Sequence, residues 1–219
     1  AGVYDGEVTY QELGQHGDFG IGTFNALDGE MIALDGKFHQ IKADGVAYPV
    51  DGSIKTPFAV VTSFEPDRTV LLDKAVDYEQ LEQYLDSLLP GKSIFYAIRI
   101  TGTFEYIKTR SVPGQKKPYP KLVEVVKNQP IFEFSNVEGD MVGFRCPAYV
   151  EGINVPGYHI HFITKDRKAG GHLLACRMRD VKIEIDYTSE FYMVLPETGE
   201  FHEVDLGEDK QAELEKVEK

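Results

Sequence analysis

Five Asp-Gly pairs fall within the first 52 residues: Asp5-Gly6, Asp28-Gly29, Asp35-Gly36, Asp44-Gly45 and Asp51-Gly52. Asp-Gly provides the positive φ angles that tight hairpins require. Between these pairs lie short apolar runs such as Met31–Leu34 and Lys37–Ile41. Punctuation this dense confines the region to short strands, and the pattern reads as an antiparallel meander. Thr9-x-x-Glu12 has the spacing of a capping box and predicts one short helix closing near Gly14. A longer helix is predicted from Asp77 to Leu89. Asp77 caps it, Gln80 stands three residues on, and Pro90-Gly91 stops it. Tyr78, Leu81, Tyr84, Leu85 and Leu88 give it one apolar face.

Further on, strands are expected at Ile94–Ile100 and Thr103–Val112, and a second helix at Pro120–Asn128. From Ile131 the pattern is almost purely β, with strands expected at Met141–Phe144, Tyr158–Thr164, His172–Met178, Val181–Tyr187 and Phe191–Leu195. Val181, Ile183 and Ile185 alternate with Lys182, Glu184 and Asp186, as in a strand with one wet face. Gly207–Lys219 is charged and lacks an apolar face, which reads as a frayed helix or mobile tail. If there are two domains, the boundary falls near Val112–Asn128.

Composition narrows the function. The 219 residues carry 23 Lys and Arg against 36 Asp and Glu, a net charge of −13. Sequence-independent nucleic-acid binding needs a cationic surface, and so does docking on anionic lipid. Neither is expected here. No run of about 18 apolar residues exists, so no transmembrane helix is expected. Cys146 and Cys176 lie in apolar strand-like runs and read as buried thiols, not a disulfide framework. The first residue is Ala1, which suggests that an N-terminal segment has been removed. A soluble protein is expected, with cytoplasmic and secreted locations both open.

Three of the six histidines cluster. In Gly157-Tyr158-His159-Ile160-His161-Phe162-Ile163, residues i and i+2 of a strand point to one face. His159 and His161 therefore project side by side, while Tyr158, Ile160 and Phe162 turn into a core. If Gly170-Gly171 returns the chain, His172 starts a paired strand and brings a third imidazole alongside. Three neutral imidazoles with room for water form a known catalytic zinc shell, although nickel, copper and iron also accept imidazole. The plainer alternative is a solvated strand face. The third histidine, in a chain otherwise poor in them, favours a metal. His16, His39 and His202 are scattered and carry no such signal. Residue patterns alone therefore reach a soluble, acidic, β-rich metalloprotein that is an enzyme, and spacing selects none of its carboxylates or arginines.

Four stretches resemble the bacterial α-acetolactate decarboxylase family: residues 4–31 (YDGEVTYQELGQHGDFGIGTFNALDGEM), 95–110 (FYAIRITGTFEYIKTR), 129–134 (QPIFEF) and 157–172 (GYHIHFITKDRKAGGH). They span nearly the whole chain. The resemblance implies an α+β, β-rich fold. Residues 1–128 would form an N-terminal part with a mixed β-sheet. Residues 129–219 would form a smaller, open β-barrel-like part that carries the metal site and the charged tail. It implies zinc-dependent decarboxylation of 2-acetolactate to (R)-acetoin and CO2 in acetoin biosynthesis, and a homodimer. Zn2+ would be held by His159, His161 and His172, and would stabilise the enediolate. Glu30, Arg110 and Glu218 would match catalytic residues, with Glu215 close enough in the tail to compete with Glu218. Arg110 would also bind substrate, and Thr23 would line the pocket. Glu65 reads as an ordinary surface turn residue.

Other readings of a strand-borne His-x-His remain: a cupin-like metal-dependent dioxygenase or isomerase, a zinc hydrolase, or a non-catalytic module with a structural metal. Cupins usually add a Glu a few residues on, where this chain has Thr164, Lys165 and Asp166. Structural zinc is usually cysteine-rich, and neither cysteine lies in the cluster.

Overall fold

The computed structural model describes residues 2–197 and 199–205. The chain begins with β1 (Val8–Thr9) and α1 (Tyr10–Leu13), followed by β2 (Phe19–Thr23), β3 (Glu30–Leu34), β4 (Lys37–Ile41) and β5 (Ala47–Pro49). Next come β6 (Lys55–Thr56), β7 (Ala59–Thr62), β8 (Arg68–Leu72), β9 (Val76–Asp77), α2 (Tyr78–Leu88) and the long β10 (Phe95–Arg110). The remainder is α3 (Leu122–Val125), the long β11 (Ile131–Cys146), β12 (Gly157–Thr164), β13 (Gly170–Met178) and β14 (Val181–Thr188).

Local chemistry explains where these elements start. Thr9 and Glu12 form the reciprocal capping box at α1, and Gly14 closes it. Asp77 and Gln80 form a second box at α2, whose Leu81, Leu85 and Leu88 are buried. Asp35 and Gly36 both take positive φ, 52° and 73°, at the β3–β4 turn, the combination a two-residue hairpin with the right twist needs.

Two sheets dominate. A five-stranded sheet has the order β5-β4-β3-β2-β7, and a seven-stranded sheet the order β8-β14-β10-β11-β12-β13-β9. The seven-stranded sheet takes β8, β9 and β10 from before residue 128 and β11–β14 from after it. β10 also pairs with β13, so β10, β11, β12 and β13 close into a ring. This ring is the barrel-like part of an α+β, β-rich fold. Two details differ from what the resemblance implied. Among the described residues every strand pairing is antiparallel, so the N-terminal sheet is not mixed. The ring is also closed in its hydrogen bonding, not open.

Two of the apolar cores follow from strand alternation. Ile160 and Phe162 join Leu81, Leu85, Ile98 and Phe104 on the α2 side. Ile163 joins Ile21, Ile32, Leu34, Val142 and Phe144 between the two sheets. Cys146 and Cys176 are free, buried thiols, each pushed up to about 12 by burial.

Several expected boundaries shift, and glycines explain most of them. Thr101-Gly102 does not break β10. Gly102 faces Gly139 across the ladder, and a Cβ there would lie 2.8 Å from the Val181 side chain, so the glycine admits a close neighbour. Gly170-Gly171 is likewise not a turn. Both residues lie in β13, and the chain reverses between Thr164 and Ala169. Cβ atoms there would come within 2.2 Å of the Phe162 carbonyl oxygen and 2.3 Å of that of Arg110. The second helix shortens to α3 plus a 3-10 turn at Val126–Asn128, with Pro120 outside it. Phe191–Leu195 is not a strand. It runs as exposed coil, with Phe191 stacked on Phe95. The expected tail, with Glu215 and Glu218, lies outside the described residues.

Candidate metal and active site

β12 places His159 and His161 on the face turned toward the five-stranded sheet, two residues apart and in line with Ile163 of the inter-sheet core. His172 sits opposite His161 on β13 and opposite Arg110 on β10. It therefore occupies the point where β13 passes from one neighbour to the other. The three imidazoles are 9%, 0% and 2% exposed. One nitrogen from each lies within 4.8 Å of the others, and Nε2 of His159 and His161 are 3.1 Å apart.

The donor chemistry suits a metal. Burial, assisted by the Arg110 charge, lowers His159 to about 3. Burial is also the main cause that holds His161 well below its ordinary range. Both rings are therefore neutral at pH 7 and carry a lone pair. His161 Nδ1 lies 2.9 Å from the Met31 carbonyl oxygen. A carbonyl only accepts, so Nδ1 carries the proton and Nε2 presents its lone pair to the cluster. Three donors on one tetrahedral zinc stand about 3.3–3.4 Å apart, close to the 3.1 Å between His159 and His161.

Glu30 and Arg110 complete the wall. Glu30 opens β3, just after the Asp28-Gly29 turn, and Arg110 ends β10; both are buried. Arg110 Nη1 is 3.2 Å from Glu30 Oε1, and Glu30 Oε2 is 3.5 Å from His161 Nε2. β3 thus contributes twice, through the Glu30 side chain and the Met31 carbonyl. Thr23 is buried nearby, and its hydroxyl donates to the Gly29 carbonyl at 2.7 Å. It steadies the turn that presents Glu30. His16, His39 and His202 stand outside the cluster, and Glu65 is exposed.

Sequence reasoning missed the supports. Gln40 donates to the Asp28 carbonyl and carboxylate at 2.6 and 3.1 Å. The Ser111 hydroxyl, fully buried, donates to the Ile41 carbonyl at 2.7 Å. Met31 acts through its backbone, which leaves no trace in residue identity. For Gln40, the available signal was its place two residues from Phe38, on the same strand face.

Fold and site together define a β-rich protein in which three buried histidines that could hold a metal ion stand beside a buried carboxylate–guanidinium pair. Comparison with known proteins places it more narrowly. The family model for alpha-acetolactate decarboxylase matches residues 1–208. The alpha-acetolactate decarboxylase of Methanosarcina mazei is 55% identical over 218 residues, covering 100% of this chain and 76% of that protein. The Methylococcus capsulatus protein of the same name is 52% identical, covering 99% of this chain and 84% of its own length. The crystal structure of the Bacillus subtilis strain 168 protein superposes with a TM-score of 0.97 at 44% identity, over 99% of this chain and 93% of that one. The chain belongs to the alpha-acetolactate decarboxylase family.

Proposed function

We propose that this chain converts 2-acetolactate to (R)-acetoin and CO2, as a step in acetoin biosynthesis, with zinc held by His159, His161 and His172. One observation carries the reading: three buried imidazoles converge within 4.8 Å beside the Glu30–Arg110 pair, in a member of a family named for this reaction. When bound, the metal would supply Lewis-acid stabilisation of charge developing on the substrate's ketone oxygen.

The chain's own groups do the rest. The bond from the tertiary carbon to the carboxylate breaks, CO2 leaves, and the electron pair moves into the adjacent ketone. A proton must then reach the carbon that lost CO2, so one proton from solvent is consumed per turnover. Arg110 binds and orients the anionic substrate, and fixes the face from which the enediolate is protonated. A guanidinium is a poor acid, so the proton itself comes from a carboxyl group. Glu30 holds and transfers it at Oε2, the oxygen nearest His161, while Oε1 is held by Arg110. Glu218 is the second carboxylate of this scheme and Thr23 a pocket residue. Burial of Glu30 and Arg110 strengthens their interactions relative to water. The active form is a homodimer.

The test is purified protein incubated with racemic acetolactate, assayed for acetoin with and without a chelator and accompanied by metal analysis. Chelator-sensitive acetoin and about one zinc per chain are expected. Acetoin formation that ignores the chelator overturns the metal role, and no acetoin overturns the reaction.

A further inference from the structure

The β12–β13 hairpin holds all three imidazoles, yet its two strands pair through only three residues each: His161–Ile163 with Gly170–His172. A slip of one residue would turn His172 to the opposite face. β11 sets the register of β12 and β10 that of β13, but so short a ladder leaves the seam between the two strands to be held by the turn. The turn is built around Thr164, whose hydroxyl donates to Asp166 at 2.7 Å and accepts from the backbone N–H of Lys168 and Ala169. At its apex Arg167 takes a positive φ of 59°. Its guanidinium donates back to the Thr164 carbonyl at 3.2 Å and reaches the Asp140 carboxylate at 2.7 Å.

Asp140 lies on β11 beside Ile163, and its side chain is 5% exposed. Oδ2 accepts from Arg167. Oδ1 accepts from Thr101 at 2.8 Å and from Arg99 at 3.0 Å, both on β10. Arg99 also bonds Asp35, in the β3–β4 turn, at 3.0 Å. One carboxylate therefore joins the hairpin apex to β10, which ends in Arg110, and through Arg99 to the hairpin that begins at Glu30. These are the strands that carry the proposed site.

We infer that Asp140, acting through Arg167, is a positioning residue for the metal centre. It braces the hairpin seam that sets His172 against His161, and it touches neither substrate nor metal. The inference rests on the zinc reading above. Outer partners of metal ligands typically tune affinity by about 10–100-fold, and a clamp on ligand geometry acts in that range.

The experiment measures Zn2+ affinity by chelator competition, together with the visible spectrum of the Co2+-substituted protein and the apo-protein Tm. Wild type is compared with Asp140→Asn, Arg167→Ala and the double variant. Val125→Ala, in the separate core cluster of Tyr4, Leu27 and Val112, serves as a destabilised control. Each single variant should bind Zn2+ at least tenfold more weakly and show an altered Co2+ spectrum. The double variant should be no worse than the weaker single, as for two ends of one clamp. Val125→Ala should lower Tm without moving affinity. Zn2+ affinity within twofold of wild type in Arg167→Ala, which is on the surface turn and keeps Asp140 paired to Arg99, overturns the inference even if Asp140→Asn fails to fold. Affinity that merely tracks Tm across all variants, the control included, overturns it too. A wild type that binds no Zn2+ overturns the zinc reading and this inference with it.

Discussion

Glu30 is the residue on which the proposed chemistry turns, and its surroundings let charge be separated from shape. Its carboxylate sits between the Arg110 guanidinium and His161. Glu30→Gln keeps the size of the side chain but not its ability to carry a proton. The expected result is retained zinc with kcat lowered by about 10²–10⁴-fold, the usual scale for an acid–base group, measured by steady-state acetoin formation beside metal analysis. Near-normal kcat would remove Glu30 from the chemistry. At this scale the sequence was unevenly readable. The period of two placed His159 and His161 together, and His172 followed once a paired strand was assumed. Glu30 and Arg110 are 80 residues apart, and no local pattern joins them; only resemblance pointed there. Gln40, Ser111 and the Met31 carbonyl stayed hidden because their roles depend on which backbone happens to lie opposite.

Among the elements, ends were more readable than interiors. Both capping boxes are written in side chains three residues apart, so α1 and α2 appear where expected. Glycines misled, because one residue serves two purposes: it permits a turn, and it lets another backbone come close. Gly102, Gly170 and Gly171 all belong to the second kind. The stretch at Phe191–Leu195 misled in the opposite direction, since β propensity has nothing to act on without a neighbouring strand. Gly171 offers a sharp test. It has φ of 142°, and a Cβ would sit 2.3 Å from the Arg110 carbonyl oxygen. Gly171→Ala should push β13 off β10, lower Tm by roughly 5–10 °C and weaken metal binding, because His172 is the next residue. Thermal melts and chelator competition measure the two effects. An unchanged Tm would show that the close approach of β10 places no constraint on residue 171.

The whole molecule is acidic, with a net charge of −13, so its long-range field mildly repels an anionic substrate. On the proposed reading, attraction has to be local, at Arg110 and at a metal held by the three histidines. Acidity also sets how the fold fails at low pH. Burial pushes the Asp140 carboxyl up, but hydrogen bonds from Arg167 and Thr101 and the charges of Arg99 and Arg167 outweigh it, leaving its pKa lowered. Asp86 is lowered in the same way, with burial opposed by Lys92, Tyr158 and Arg145. Below about pH 4, the ordinary carboxyl range, the unfolded chain takes up these protons before the folded one does. Stability from both groups is therefore complete above about pH 5 and is lost as pH falls through the folded values. Tm measured from pH 6 to pH 2 should fall more steeply in wild type than in Asp140→Asn. Parallel curves would deny Asp140 a part in acid unfolding.

The ring of β10, β11, β12 and β13 has a consequence for how the protein comes apart. A flat sheet frays from its outermost strand, where backbone groups are held on one side only. β5, β7 and β8 are such margins, but a ring closed by the three pairs of β12 with β13 has no outermost strand from which to unzip. His159, His161, His172 and Arg110 all stand on that ring, while β5, β7 and β8 lie outside it. The wall that gathers the imidazoles therefore opens only when the molecule opens as a whole, so heat or denaturant should take away the site and the fold together.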